Sequence, residues 1–290
     1  MKRFLKEIIF FTIILIVSYT IIYNLTSYFF CKTDTSNSIY LYGDSQMFQG
    51  IDLNYLKDRT QANIYSAARH GAGIYDFLFF TEKVPTNSKI ILSISEHSQI
   101  RPPKNEANTS PIHLKSMIEL YNFNYSIHGF KNILSRGIKF PNSYYFKTSH
   151  KLYPVENSIN YHTSLSSFFN RYSTITKERL LDKQDMYLKG LEKLISKNCD
   201  ITFIEFPYHK ALQNIEERTR YNKYFNLFRD NILKKNSNFE MDTLKLESKK
   251  NIMYDYTHLN ELGARILTKK LINKSLENKS QKVMHLKFTN

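Results

Sequence analysis

Tryptophan is absent from this 290-residue chain, cysteine occurs only twice, and glycine and proline number eight and seven. Two cysteines cannot build a disulfide framework, and neither lies in the Cys-x-x-Cys spacing of a metal or redox site. Cys31 abuts an apolar segment and Cys199 follows a predicted amphipathic helix, an arrangement that argues against a bond between them. The dearth of glycine, proline and tryptophan accompanies an abundance of lysine, asparagine, isoleucine, tyrosine and phenylalanine, so it reflects AT-rich coding rather than a function. No repeat of about 20–50 residues is visible, which excludes a solenoid or propeller array.

Acidic residues are the other deficit, 26 against 41 lysines and arginines, for a formal charge of +15. Such an excess suits nucleic acid, an anionic membrane surface or an acidic polymer. No basic recognition motif accompanies it, so no nucleic-acid partner is expected. Attraction to anionic lipid head groups or acidic envelope glycans fits better.

One stretch lacks charge altogether. Ile8 to Leu25 runs for eighteen residues without a charged side chain, preceded by Lys2, Arg3 and Lys6. About 17–25 apolar residues suffice for a helix to span a bilayer. The small residues of a signal-peptide cleavage site are missing, since Ser27-Tyr-Phe-Phe-Cys31 offers bulky aromatics instead. Residues 1–31 are therefore expected to form a cytoplasmic stub and an uncleaved transmembrane signal anchor. The basic end stays inside and the chain beyond about residue 30 is exported, periplasmic or extracellular.

At this length one catalytic domain with appendages is expected. Residues 32–278 read as that domain and 279–290 as a basic tail. Ser38–Tyr42, Ala62–Ser66, Lys89–Ser95 and Asp200–Phe206 are apolar, strand-like runs, with Asn251–Tyr254 as a last short strand. Between them, Met47–Lys57 reads as helix or loop, and helices are predicted over Ile74–Lys83, Thr176–Lys197, Ile215–Lys235 and Asn260–Asn278. This alternation predicts a mostly parallel, three-layer α/β sheet. From about 99 to 176 the pattern dissolves into Pro-, Ser-, Asn- and Tyr-rich sequence, with short helices near Ile112–Tyr121 and Ser126–Ser135, and reads as an insertion over the site.

Two segments carry the chemistry. Ser38-Ile-Tyr-Leu-Tyr-Gly-Asp-Ser-Gln46 is a strand ending in a turn, which places Ser45 at the carboxyl end of a strand, where open α/β sheets hold their sites. Far downstream, Asp255-Tyr-Thr-His258 sets an acid and an imidazole three residues apart before a helix. A serine hydroxyl needs a base to remove its proton, and the base needs an acid to fix its tautomer. Ser45, His258 and Asp255 supply those three groups, and such chemistry calls for no cofactor and no metal. Each motif alone is also a common surface turn or helix start; their order at opposite ends of an α/β pattern is what gives them weight.

Both segments resemble the SGNH (GDSL-type) hydrolase superfamily, whose nucleophile lies in an early Gly-Asp-Ser block and whose Asp-x-x-His block lies late. Asp255-Tyr-Thr-His258-Leu-Asn-Glu-Leu-Gly-Ala264 is the closer match. The resemblance implies a flavodoxin-like sheet. It also implies an oxyanion hole made by the backbone N–H of Ser45 and a glycine after the second strand, Gly71 first and Gly73 second. The family's Gly-x-Asn-Asp block is missing; Ser95-Glu-His-Ser-Gln99 stands there, with Ser95, His97 or Gln99 as substitutes. Asp44, His97 and His209 are candidates for substrate contact, although Glu96, His97 and His209 also suit ordinary loops. His70 neighbours Gly71 and has no assigned role. Tyr144, Tyr145, Tyr153 and Tyr161 offer rings for sugar stacking or for simple loop packing.

The layout implies an exported enzyme that transfers or removes an acyl group, chiefly O-acetyl, on a cell-envelope polysaccharide. A multi-pass membrane acyltransferase is a partner implied by the resemblance alone. The rivals are an inactive SGNH-like scaffold and a lipase or thioesterase; the polar insertion speaks against the latter.

Overall fold

The computed structural model describes residues 2–30, 37–95, 146, 150–155, 177–209, 226, 230–231, 239–246, 251–276 and 283–289. After the N-terminal helix α1 (Lys2–Phe30) the chain runs β1 (Ser38–Tyr42), α2 (Ser45–Gly50), α3 (Leu53–Thr60), β2 (Asn63–Ser66), α4 (Ile74–Lys83) and β3 (Lys89–Leu92). It continues with α5 (Lys177–Ser196), β4 (Asp200–Glu205), β5 (Phe239–Lys245), α6 (Glu261–Leu271), a π-helical turn over Ile272–Leu276 and β6 (Val283–Thr289).

Six strands form one sheet in the order β2-β1-β3-β4-β6-β5, and every neighbouring pair is parallel. Parallel neighbours need crossover connections, which put helices on the sheet faces and bury the strands from both sides. The residues of β1 show how. Ile39 and Leu41 point into one core with Met47, Leu53, Leu56, Leu267 and Leu271, from α2, α3 and α6. Tyr40 and Tyr42 point into the opposite core with Ile74, Phe77, Phe80, Tyr187 and Leu191, from α4 and α5. All of β1 is buried. The outcome is the expected parallel, three-layer α/β architecture.

The order also locates the site. From β1 the chain steps to β2 on one side and then to β3 on the other, which makes the carboxyl end of β1 a topological switch point, where open α/β sheets hold their sites. Ser45 follows β1 at that point.

Several boundaries differ from the sequence expectation. Met47–Lys57 is two helices, because Asp52 restarts the chain as an N-cap whose carboxylate accepts the Tyr55 amide at 3.0 Å. Asn251–Tyr254 is no strand; it contributes one antiparallel bridge, Met253 to Leu259, inside a narrow loop. The basic tail over 279–290 contains β6, which lies between β4 and β5 with Leu286 fully buried. Met284, Leu286 and Phe288 alternate with His285 and Lys287, and that period of two is a strand signal masked by the basic residues. Strand β5 was not expected, and in the helix read over Ile215–Lys235 only Asn226, Asp230 and Asn231 are described, all helical. The two short helices read between 112 and 135 lie outside the described residues.

Among the described residues no helix is long and apolar enough to cross a membrane, so the expected span is not found there. Helix α1 nevertheless runs for 29 residues. Its described apolar side chains, Phe4, Phe10, Ile14 and Ile21 among them, stand exposed rather than packed on either core.

Two glycines next to the site are fixed by close approach. A Cβ on Gly43 would lie 2.4 Å from Met47 Cβ, so the turn after β1 packs directly on α2. A Cβ on Gly263 would lie 2.3 Å from the backbone oxygen of Ile252 and 2.9 Å from Leu259 Cδ2. Helix α6 therefore rests with its backbone against the loop that carries Asp255 and His258. Overpacking at such a contact costs about 1–3 kcal/mol, so Gly263→Ala is expected to lower unfolding stability by that amount. Chemical denaturation of the variant beside the wild type measures it, and equal midpoints with equal slopes would contradict the packing argument.

Candidate active site

The loop from Ile252 to Asn260 is held by its own backbone. Tyr254 N donates to His258 O at 2.9 Å and Asn260 N to Ile252 O at 3.0 Å, closing a hairpin-like turn. Asp255 organises its tip. One carboxylate oxygen, Oδ1, accepts the amides of Thr257 and His258, each at 2.7 Å, and the Thr257 hydroxyl at 3.2 Å. This is the Asx-type bonding that makes aspartate favourable at turns. Asn260 then caps α6, its Oδ1 accepting the Gly263 amide at 3.0 Å while its Nδ2 donates to Asn251 O at 2.9 Å. Asp255 and His258 thus sit on a loop braced at both ends.

The free side of that carboxylate meets the imidazole. Asp255 Oδ2 lies 2.7 Å from His258 Nδ1, and His258 Nε2 lies 2.9 Å from Ser45 Oγ. An ionised carboxylate can only accept, so Nδ1 carries the hydrogen and Nε2 presents its lone pair to the serine hydroxyl. The three residues, 213 positions apart at their widest, form one hydrogen-bonded line. All three are partly buried, with 17 % of the His258 and 25 % of the Asp255 side chain exposed, so the line is shielded yet reachable. Burial would push the Asp255 carboxyl up. The hydrogen bond from His258, electrostatic attraction to the same side chain and the amides of Thr257 and His258 outweigh it and hold the group below the usual carboxylate range.

Ser45 is presented by the turn after β1. Asp44 is the N-cap of α2, its Oδ1 accepting the Gln46 amide at 3.0 Å and its Oδ2 the hydroxyl of Ser95. Asp44 is buried, so it shapes the turn rather than meeting substrate as expected. Ser95, weighed as an oxyanion donor, gives its hydroxyl hydrogen to Asp44. The Ser45 amide belongs to the first-turn N–H groups for which an α-helix has no internal acceptor, which keeps it a candidate oxyanion donor.

Gly71 stands in the loop after β2 at a φ of 71°, a left-handed backbone that suits glycine. Arg69 N donates to Gly43 O at 3.2 Å and so draws this loop against the serine turn. Gly73 does not serve as the second donor: its amide bonds Asp76 Oδ2 at 3.0 Å, where it caps α4, and its carbonyl accepts the Tyr42 hydroxyl at 2.6 Å. His70 Nε2 lies 3.3 Å from Gln49 Nε2, beside α2. His209 N donates to Tyr256 O at 2.9 Å and its ring meets that of Tyr256 edge-on at 5.8 Å, which places it next to the Asp255 loop. His97, Glu96 and Gln99 lie outside the described residues, as do Tyr144, Tyr145 and Tyr161.

Sequence reasoning missed the residues that join the two halves of the site. Gln46 Nε2 donates to Thr257 O at 2.9 Å, and the Tyr208 hydroxyl reaches Gln46 Oε1 at 3.4 Å. Gln46 thereby ties the helix carrying Ser45 to the loop carrying His258. Its position directly after the serine was the only available signal. Thr257, with its two bonds to Asp255, was legible as the third residue of the Asp-x-x-His block.

Among the described residues no cluster of histidine, cysteine, aspartate and glutamate could hold a metal ion. What the arrangement can do is deprotonate a serine, and a serine held this way can attack an acyl carbon. No protein-family model and no curated protein matches the chain, so the functional reading rests on the serine, imidazole and carboxylate just described.

Proposed function

We propose that this chain is a serine acyl-transfer enzyme of SGNH type, an O-acetyltransferase or acetylesterase acting on a cell-envelope polysaccharide. One observation carries the reading: Ser45 Oγ, His258 Nε2, His258 Nδ1 and Asp255 Oδ2 form a continuous line with bonds of 2.9 and 2.7 Å. Strand order β2-β1-β3-β4, a nucleophile after β1 and an acid–base loop before α6 support the flavodoxin-like SGNH assignment.

In the first half-reaction Ser45 Oγ attacks the carbonyl carbon of an ester while its proton passes to His258 Nε2. Asp255 supports the imidazolium, and the Ser45 amide, with Gly71 the candidate second donor, bonds the oxyanion. The tetrahedral intermediate collapses, the bond to the leaving oxygen breaks, and His258 returns the proton to that oxygen. An acyl group now rests on Ser45. In the second half-reaction His258 takes a proton from water or from a sugar hydroxyl, whose oxygen attacks the acyl carbon; the bond to Ser45 Oγ then breaks and His258 returns the proton to Oγ. Water makes the chain an esterase and a sugar makes it a transferase.

A membrane anchor belongs to the same proposal. The uncharged run Ile8–Leu25 lies within α1, extends past the last described side chain of that helix, and follows Lys2, Arg3 and Lys6. The eighteen uncharged residues measure roughly 27 Å as helix at about 1.5 Å per residue, close to a hydrocarbon core of about 30 Å. The exported domain would then work near its glycan, beside a multi-pass acyltransferase that supplies acyl groups.

The substrate assignment is tested by mass spectrometry of envelope glycans from cells lacking the chain. Acetyl content is expected to change on loss and to be restored by the wild type but not by Ser45→Ala. Full restoration by Ser45→Ala would favour a scaffold that holds glycan without chemistry. The diversion of Gly73 and Ser95 to other partners is the observation on which that second reading stands.

A further inference from the structure

We propose that Tyr153, contributed by the long sequence between β3 and α5, is a positioning residue that holds the His258 imidazole in line with Ser45. The inference rests on the triad reading and goes beyond it, because it makes the insertion part of the catalytic apparatus.

Three contacts fix Tyr153 to the acid–base loop. Its ring stacks on Tyr254, with centroids 3.9 Å apart and planes 5° from parallel. The same ring meets His258 edge to face at 5.7 Å and 70°. Its backbone oxygen accepts the Glu261 amide at 2.7 Å, filling one of the acceptor places that the first turn of α6 needs. Glu261 lies three residues past His258, so ring and backbone grip the loop on both sides of the imidazole.

The surrounding residues show that Tyr153 is itself anchored. Phe146 packs edge-on against Tyr40 and Tyr65 in the α4–α5 core. His150 Nε2 lies 2.8 Å from Ser66 Oγ at the end of β2, and its ring packs on Phe48 of α2. Phe146 thus packs in one core, His150 bonds the end of β2, and Tyr153 meets the triad loop. A ring packed at that distance adds to the hold of Asp255 and Ser45 and narrows the rotation of the imidazole about its Cβ–Cγ bond.

The ring, not the hydroxyl, carries the effect. Burial, then the Asp255 carboxylate, then Tyr254 push the Tyr153 phenol up, so it stays neutral wherever His258 acts as a base.

The test compares hydrolysis of p-nitrophenyl acetate by the full chain in detergent with that by Tyr153→Phe, Tyr153→Leu and Tyr153→Ala. Tyr153→Phe is expected to stay within about twofold of the wild type. The alanine and leucine variants are expected to lose about tenfold in kcat with KM unchanged, because small misalignments of reacting groups are costly in rate. Leucine keeps apolar bulk without a flat face, so its loss separates ring packing from folding. Wild-type kcat in both non-aromatic variants, with Ser45→Ala inactive, would overturn the role of Tyr153 and leave the triad intact. A loss in Tyr153→Phe equal to that in Tyr153→Ala would also overturn it, since only the hydroxyl differs. Activity retained in Ser45→Ala would instead remove the triad on which the inference depends.

Discussion

Replacing Ser45 with alanine is expected to lower kcat toward an activated acetyl ester by at least about a thousandfold. Removal of a triad nucleophile typically costs about as much as removal of the whole triad, and what remains comes from the oxyanion hole and substrate binding. The structure gives specific grounds for so large an effect. Ser45 Oγ is the group in line with His258 Nε2, at 2.9 Å, and alanine leaves the imidazole facing a methyl group. Little else should change, because Asp44 still caps α2 through the Gln46 amide and Gln46 still bonds Thr257 O. Unchanged stability beside lost turnover is therefore the expected pair of results. A variant that retains turnover would mean that another residue performs the attack.

Asp255→Asn is the second large effect, with kcat expected to fall by about 10³–10⁴ while the fold persists. The direction follows from the two carboxylate oxygens. Oδ1 accepts the Thr257 and His258 amides, and an asparagine carbonyl can keep both bonds. The amide nitrogen then replaces Oδ2 opposite His258 Nδ1, where the present distance is 2.7 Å. An N–H there forces the imidazole to carry its hydrogen on Nε2, and that nitrogen can no longer take the serine proton. Acid stability should change as well. The Asp255 carboxyl is held below its usual range in the folded chain, so the native state binds fewer protons than the unfolded one as pH falls through that interval. Its stabilising contribution is complete above the ordinary carboxylate pKa and is lost on descent through the lower, folded value. Denaturation midpoints of wild type and Asp255→Asn are expected to differ at neutral pH and to converge in acid. A constant difference would contradict the linkage.

Much of this site was legible from residue order because its parts are local. Gly43, Asp44 and Ser45 form one turn, and Asp255, Thr257, His258, Asn260 and Gly263 form one capped loop, so each motif encodes its own geometry. The cap by Asn260 and the close approach at Gly263 explain why the residues after His258 have the wording they do. The parallel sheet was legible for a similar reason: Lys89-Ile-Ile-Leu-Ser-Ile-Ser95 is apolar on both faces, as a buried parallel strand must be. Long-range choices were not legible. The period of two in Val283–Thr289 hints at a strand, but nothing in it tells that the strand inserts between β4 and β5 until a partner offers its edge. Gly73 looked like a donor until Asp76 claimed its amide, and Asp44 like a substrate contact until Ser95 claimed its carboxylate. Gln46 escaped, and Tyr153 was legible only as a ring for sugar stacking or loop packing, because their partners lie 211 residues away in one case and about a hundred in the other.

The most direct measurement is peptide mapping by mass spectrometry after the full chain reacts with a serine-directed fluorophosphonate. A single adduct on Ser45 is predicted, formed rapidly by the wild type, slowly by Asp255→Asn and not at all by Ser45→Ala. An adduct confined to another serine, or a wild type left unlabelled under conditions in which it remains folded, would contradict the assignment of Ser45, His258 and Asp255 as a working triad.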